Sequence, residues 1–196
     1  MPTTDDKVEF GVEHVVYALD EADGSVGDTW VDLAGAVELN IEASSEENIF
    51  YADDGPYYTF YGNQTDSFTL NIARLPEQAK IDLLGYERDE TSGGLLKPTF
   101  PKPAPFSLGY EYKGDTNTYR GIKYGCTLAV PTENHTTTNE STEPNTVELT
   151  GTSIGKEFTV NGDKKKYAGA YWKTGDTGFS KFYTTPPQPG VAPANG

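Results

Sequence analysis

Apolar and polar residues alternate with a period of two along most of this chain, which is the spacing of a β-strand with one buried face. The alternating runs are separated by segments rich in Gly, Pro, Asn, Asp and Thr, which favour turns and loops. We therefore predict strands over residues 7–18, 36–43, 68–72, 106–112, 119–130 and 146–154. This pattern is typical of a mainly β protein.

Three of these runs also predict which side chains share a face. In the first, Val12 and Val16 have the same parity on either side of His14, so both are expected on one face. The second run is expected to point Val37, Leu39, Ile41 and Ala43 inward, with Glu38 and Glu42 on an acidic outer face. The run over 119–130 places four side chains on one parity and therefore on one expected face: Ile122, Tyr124, Cys126 and Leu128.

Residues 76–85 carry the only convincing helix signal in the sequence. Pro76 stands at a plausible first helical position, Glu77 supplies an acid in the first turn, and Gly85 follows the last apolar residues. We predict one short helix among the strands.

The connection between the second and third strands, residues 44–66, is long and rich in aromatic residues. Asp53, Asp54 and Gly55 form a turn signal within it, because Asp and Gly tolerate left-handed backbone conformations. Long irregular loops in compact domains are usually functional or disordered. The aromatic content favours function, so we interpret this segment as a contact arm. Its aromatic residues are Phe50, Tyr51, Tyr57, Tyr58 and Phe60.

The charge balance excludes several classes of partner. Thirty acidic and fifteen basic residues give a net charge of −15, which disfavours a surface built to hold nucleic acid phosphates. Cys126 is the single cysteine, so an internal disulfide framework is excluded. No apolar run is long enough to span a bilayer, and residues 1–7 do not resemble a secretory signal. We expect the chain to be made and folded in a cytoplasm.

Candidates for catalysis or metal binding are few. The histidines are His14, within a strand, and His135, in a polar loop, and neither belongs to a nucleophile motif. Asp53 and Asp54 are the carboxylate pair to consider for a glycosidase, although neighbouring acids in a turn diverge. The acidic loop with Asp20, Asp23 and Asp28 lacks the spacing of an EF-hand calcium site. We predict no cofactor and no enzymatic activity.

The basic residues are concentrated in one run, Lys164 to Lys166. In a chain this acidic, we expect the run to meet acids of the same chain or of a neighbour rather than nucleic acid.

The order of motifs between residues 35 and 85 resembles a known family. The motifs are Gly35-Ala36 opening the second strand, Tyr51-Ala52-Asp53-Asp54-Gly55 followed by Tyr57-Tyr58, the strand Leu70-Asn71-Ile72-Ala73, and Pro76 with a helix closing at Leu84-Gly85. This order is similar to the major tail tube proteins of bacteriophages with long, non-contractile tails, particularly those of Gram-positive hosts. The resemblance extends from about residue 7 to residue 153.

The resemblance implies a mainly β (α+β) fold of two packed antiparallel β-sheets flanked by one short α-helix. It further implies hexameric rings that stack into a hollow virion tail, assembled in the host bacterial cytoplasm with tape-measure, distal-tail and tail-terminator proteins. DNA would pass through the tube without specific binding. Residues 1–155 would be the tube domain, 44–66 its inter-subunit loop, 156–185 a C-terminal extension, and 186–196 a flexible tail.

The residues agree with this resemblance in three respects. Edge strands that pair with a neighbouring copy lose their exposed edges, which suits a closed ring. A lumen of the same sign as DNA avoids pairing with phosphates, which suits Glu38 and Glu42 as lumen-facing acids. Exposed aromatic residues of the 44–66 loop suit a surface that becomes buried on assembly. Two alternatives remain open: a carbohydrate-binding or adhesin β-sandwich that uses Tyr57 and Tyr58 as a sugar platform, and a glycosidase that uses Asp53 or Asp54.

Overall fold

The computed structural model of the 196-residue chain describes residues 6–44, 47–52, 55–61, 65–132 and 146–192. One helix, α1 (Glu77–Leu84), occurs in these ranges. The strands are β1 (Glu9–Leu19), β2 (Val31–Asp32), β3 (Ala36–Ser44), β4 (Glu47–Ala52), β5 (Gly55–Tyr61), β6 (Thr65–Ile72), β7 (Glu87–Arg88), β8 (Leu95–Leu96), β9 (Phe106–Gly114), β10 (Thr118–Leu128), β11 (Val147–Ser153), β12 (Lys156–Val160), β13 (Asp163–Tyr167) and β14 (Gly169–Lys173).

Eight strands form one branched antiparallel sheet in the order β2-β1-β9-β10-β11-β6-β3, with β14 also paired to β10. The N-terminal part of β10 lies between β9 and β14, and its C-terminal end pairs with β11. Strand β10 therefore belongs to both halves of the sheet: one half contains β2, β1, β9 and β14, and the other contains β11, β6 and β3. The two halves pack against each other, and β1 contacts β3. The prediction of packed antiparallel sheets with one short helix is confirmed.

Strand β10 crosses from one half of the sheet to the other at Gly125. Gly125 has a φ of 62°, and the register with β9 shifts between Lys123 and Cys126. A β-bulge of this kind inserts a residue and reverses the face of every later side chain. Ile122 and Tyr124 consequently lie in a second cluster, whereas Cys126 and Leu128 lie in the main core. The prediction that these four side chains share one face is wrong for this reason.

A similar irregularity divides β1. His14 has a φ of 47°, and the register with β9 shifts between Glu13 and Val16. Val12, Val15 and Tyr17 contact the main core, and Ala18 joins the second cluster on the opposite face. The predicted shared face for Val12 and Val16 is therefore wrong, since Val16 instead lies beside Gly109 and Trp30.

The main core lies between the two halves of the sheet and is covered by α1. Ala79, Leu83 and Leu84 are the buried residues of the helix. Gly85 ends it in the left-handed conformation, with its amide donating to the Ile81 carbonyl over 3.1 Å. The predicted helix is confirmed, but Pro76 stands at the N-cap rather than inside the helix because its ψ of 151° is extended.

The second cluster joins the C-terminal residues to the outer face of the sheet. Phe182 is fully buried there with Val26 and Tyr124, and Trp30 and Trp172 pack around it. Residues beyond 155 supply β14 to the main sheet and the separate hairpin β12–β13. The described part of 186–196 also contacts this body: Pro186 is buried, and the Pro187 carbonyl accepts a hydrogen bond from the Tyr124 hydroxyl over 2.8 Å.

The connection between β3 and β6 is an antiparallel hairpin rather than an irregular loop. Strands β4 and β5 pair with each other from Glu47 and Tyr61 to Ala52 and Gly55, and they pair with no other described strand. Of the predicted turn signal, Gly55 begins β5, and Asp53 and Asp54 lie outside the described residues. Among the described residues, no helix is long and apolar enough to cross a membrane.

The start of β1 is held to the β9–β10 turn by one carboxylate. Asp6 accepts hydrogen bonds from the backbone amides of Thr116 (2.6 Å) and Asn117 (3.0 Å), from the Asn117 side chain (3.0 Å) and from the Tyr119 hydroxyl (2.5 Å). These bonds, that of Tyr119 first, hold the pKa of Asp6 well below its usual range. The same contact raises the pKa of Tyr119 to about 12.

We expect the Asp6→Asn variant to lose less stability in acid than the unmodified protein. Because the folded-state pKa of Asp6 is lowered, its contribution is fully present above about pH 4 and is lost as the pH falls toward the folded value. Urea unfolding from about pH 2 to about pH 7 measures this, with Asp28→Asn as the control, since Asp28 is exposed and makes no hydrogen bond to a described residue. Parallel pH curves for all three proteins would contradict the role of Asp6.

Candidate assembly surfaces

The outer face of β3, β6 and β11 carries polar side chains at its paired positions. Antiparallel pairing of β3, β6 and β11 aligns polar side chains in rows across the strands, and β10 extends one row because Thr127 pairs with Thr152. The rows are Glu38, Asn71 and Glu148; Asn40, Thr69 and Thr150; and Glu42, Ser67, Thr152 and Thr127. We call these residues the polar face.

Hydrogen bonds hold side chains of the polar face in place. The Glu38 carboxylate accepts from the side-chain amides of Asn40 (3.1 Å) and Asn71 (3.3 Å). The hydroxyl groups of Thr127 and Thr152 are 3.3 Å apart. The acids are exposed, and β3, β6 and β11 contain no Lys or Arg. The polar face is therefore a hydrated surface with acids and without cations of its own.

The structure brings together Glu38 and Glu42 as the alternation predicted, both exposed on one face of β3. It adds Glu148 and the threonines of β10 and β11, which sequence reasoning missed. The alternation over residues 146–154 identified β11 as a strand, but it did not reveal which strands lie beside it. The pairing of β6 with both β3 and β11 places Glu148 in the same row as Glu38.

Asp66, the one acidic residue of β6, points away from the polar face and forms an ion pair with a lysine. Asp66 is buried and pairs with the Lys123 ammonium at 2.5 Å. Burial of a lone carboxylate is strongly unfavourable, so the pair is needed where it stands. The polar face consequently keeps its acids exposed, while the acid that points inward has a cation.

The hairpin β4–β5 presents aromatic side chains to solvent. Tyr57 is 74% exposed and Tyr58 is also largely exposed. The side chains of Phe50, Tyr51 and Phe60 lie outside the described part of the chain, as do Asp53 and Asp54 altogether. The described tyrosines agree with the predicted exposure of this segment, and the remaining site predictions there stay predictions.

A groove of about 500 Å³ runs between the N-terminal half of β1 and β3. We call it the seam groove, and its lining includes Phe10, Val12, Val37, Leu39, Ile41 and Tyr110. Val37 was predicted to point inward but is 62% exposed, because the register of β3 with β6 shifts between Ala36 and Glu38. The groove combines a partly buried apolar floor with exposed apolar rims.

One cluster of titratable side chains on β1 and β9 is held by ion pairs. Glu13, His14 and Glu111 place ligand atoms within 4.8 Å of one another. Lys113 already holds Glu13 at 2.8 Å, and Arg120 holds Glu111 at 2.7 Å. Their carboxylates therefore serve structural ion pairs.

The acidic loop of β1 and β2 is also structural. Asp20 pairs with Lys156 at 2.7 Å, and burial raises the pKa of Asp20. Asp23 accepts hydrogen bonds from the amide and hydroxyl of Ser25, at 2.8 and 2.7 Å, and so forms a local turn. These contacts give Asp20 and Asp23 structural roles in the loop.

The sequence predicted that the basic run meets acids of the same chain or of a neighbour. In the structure, two of its lysines pair with acids of the same hairpin. Lys164 pairs with Glu157, and Lys165 with Asp163 at 3.2 Å. All three lysines remain exposed on β13.

Two comparisons with known proteins give matches. A family model described as phage tail tube protein matches residues 27–184. Among solved structures, the cryo-EM structure of the anti-feeding prophage cap, a tube terminating cap, is similar with a TM-score of 0.42 and 11% sequence identity. That alignment covers 89% of this chain and 100% of the other. A search of curated proteins finds no significant match.

The family match covers most of the chain, so this chain belongs to the phage tail tube protein family. The family is one of structural proteins of the virion tail and is not a class of enzymes. The resemblance seen in the motifs of residues 35–85 is thereby confirmed at the level of the phage tail tube protein family.

Proposed function

We propose that this chain assembles into hexameric rings that stack into the tube of a long, non-contractile phage tail, and that DNA passes through this tube during ejection. The observation that carries the proposal is the polar face. A conduit for a polyanion needs a wall that does not bind phosphates, and clustered Lys or Arg would bind them. The polar face offers acids, amides and hydroxyls without a cation on its three main strands.

Placing the polar face toward the lumen leaves the opposite side of the same strands in the main core. Leu39 and Ile41 of β3 and Leu70 of β6 point there. The two faces of β3 and β6 thus have opposite chemistry, which is what a wall between water and a core requires.

The outer edge of β3 supports ring formation. No described strand pairs with that edge, and exposed strand edges favour pairing with another chain. In a ring, the part of this edge that does not contact β1 would pair with the neighbouring copy, and closure of the ring would remove that exposed edge. The segment 44–66 is then the inter-subunit arm, and residues 156–185 brace the tube domain from outside.

The proposal includes partners and a place of assembly. Tape-measure, distal-tail and tail-terminator proteins would bind the ends and the interior of the tube, and assembly would occur in the host bacterial cytoplasm.

Electron microscopy of the purified chain at high concentration tests whether it assembles into rings that stack into a tube. Rings or tubes are expected; a strictly monomeric protein, even with initiator proteins added, would contradict it.

We expect reversal of the polar-face acids to make assembled tubes retain DNA. The triple variant Glu38→Lys, Glu42→Lys and Glu148→Lys replaces three anions with cations that pair with phosphates. Cosedimentation of tubes with short duplex DNA at low salt measures the change, and retention is expected to fall as salt rises.

The control reverses two exposed acids away from the polar face. Glu87→Lys with Glu90→Lys introduces exposed cations elsewhere, so its tubes are expected to bind DNA less tightly than the polar-face variant. Equal DNA retention by the two variants would show that the polar face does not line the lumen.

A further inference from the structure

The seam groove lies where the sheet fails to close. Strand β2 covers the edge of β1 only at Val16 and Tyr17, so no described strand pairs with the N-terminal half of β1 on that side. The outer edge of β3 faces it across the seam. Phe10 is 56% exposed at the rim, beside the exposed Val37. Burial of these two side chains by a partner would remove apolar surface from water, which favours association.

The floor of the groove is preformed. Tyr110 stacks on Tyr112 with ring centroids 6.3 Å apart, and Tyr112 stacks on Tyr119 at 5.0 Å with nearly parallel rings. Burial raises the pKa of Tyr110, and the nearby hydroxyl of Tyr112 and carboxylate of Glu9 raise it further, so its phenol stays neutral. A rigid aromatic wall loses little freedom when a partner docks.

The size and shape of the groove indicate what it can accept. Strands β1 and β3 are themselves in contact, so a further strand cannot insert along the whole seam. A cavity of about 500 Å³ lies within the range that encloses drug-sized ligands, so it has room for aromatic side chains. The groove therefore suits side chains from a strand that crosses its rim.

Charge restricts which segment can dock. Glu9 and Glu38 stand on the rim, so an acidic segment would be repelled. Strand β5, Gly-Pro-Tyr-Tyr-Thr-Phe-Tyr, carries no charged residue. It pairs only with β4 among the described strands, and its Tyr57 is the most exposed tyrosine described. A neutral, aromatic strand and an acid-rimmed aromatic groove are complementary.

We propose that the seam groove is the acceptor for strand β5 of a second copy, with Tyr57 of that copy packing over Phe10 and Val37. The inference rests on the proposed function, because it requires that copies assemble, and it names the surface that receives the inter-subunit arm. The contact is heterologous, with different surfaces on the two copies, so it can propagate from subunit to subunit.

Cysteine cross-linking tests the contact directly. A chain with Val37→Cys and a second with Tyr57→Cys are mixed under assembly conditions and oxidised. Cys126 is buried and its pKa is raised to about 12, so the native thiol stays unreactive at neutral pH. A disulfide-linked dimer is expected at least tenfold above that from Phe100→Cys mixed with Tyr57→Cys. Phe10→Cys is a second acceptor position. Absence of a cross-link at both groove positions while the wild type assembles would overturn the docking.

Charge insertion provides an independent measurement with a matched control. Phe10→Glu is expected to raise the concentration needed for assembly at least tenfold, because it places a third acid beside Glu9 and Glu38. Phe100→Glu, at a position 87% exposed, is expected to change it less than twofold. Val37→Glu repeats the test if Phe10→Glu does not fold. Assembly of the groove variants at the wild-type concentration would overturn the docking alone, whereas failure of the wild type to assemble would overturn the proposed function with it.

Discussion

Replacing Arg120 with alanine is expected to lower the free energy of unfolding by about 3–5 kcal/mol. Its guanidinium Nε lies 2.7 Å from the Glu111 carboxylate, whose side chain is 8% exposed. The same guanidinium donates to the Phe179 carbonyl over 2.5 Å and covers the rings of Phe179 and Tyr183, 4.0 and 4.6 Å from their centroids. Truncation would leave a carboxylate buried without its cation and would release the C-terminal segment from the sheet.

Urea denaturation measures the change. Lys113→Ala is the control, because its pair with Glu13 is about half exposed on both sides and surface pairs contribute about 0–1 kcal/mol. The double variant Arg120→Met with Glu111→Gln should have a larger free energy of unfolding than Arg120→Met alone, because it removes the unpaired carboxylate charge. Similar small losses for Arg120→Ala and Lys113→Ala would contradict this account.

Replacing Phe182 with alanine is expected to destabilise the protein by about 3–5 kcal/mol, the usual loss for a fully buried aromatic side chain. Phe182 is completely buried, stacks on Trp30 at 5.6 Å and meets the edge of Trp172 at 5.7 Å. The Trp30 indole also donates to the Phe182 carbonyl over 2.7 Å. The cavity would open between the C-terminal segment and the sheet.

Tryptophan fluorescence reports this change directly, because Trp30 and Trp172 both contact the mutated ring. Phe100→Ala is the matched control, and it removes an exposed ring with an expected loss below about 0.5 kcal/mol. An unchanged unfolding midpoint for Phe182→Ala would mean that residues beyond 155 are not an integral part of the folded unit.

Much of the fold was predictable because strand and helix signals are local. The alternating runs correspond to β1, β3, β6, β9, β10 and β11, and the Gly85 stop signal ends α1 where the structure ends it. The acid face of β3 was also predictable, since Glu38 and Glu42 are four residues apart in one strand. The alternation of apolar and polar residues and the preferences of turn residues each involve only a few neighbouring positions, so both can be recognised in the sequence.

The faces of β1 and β10 were not predicted, although signals were present. Gly125 interrupts an alternating run, and an isolated glycine within a strand indicates a bulge. The four consecutive apolar residues 15–18 indicate a strand buried on both sides, as the structure shows on either side of β1. Each irregularity shifts the parity by one, so a correct strand assignment gave wrong neighbours for Val16 and for Ile122.

By itself the sequence determined six strands of the main sheet, the helix, the acidic charge and the absence of Lys and Arg between residues 8 and 73. Only the tertiary structure decided that Glu38, Asn71 and Glu148 form one row and that β1 meets β3 around an aromatic groove. The physical reason is distance along the chain. Register, bulges and sheet curvature determine which residues are neighbours across strands. These features depend on packing between segments that are far apart in the sequence, whereas the alternating pattern describes each segment alone.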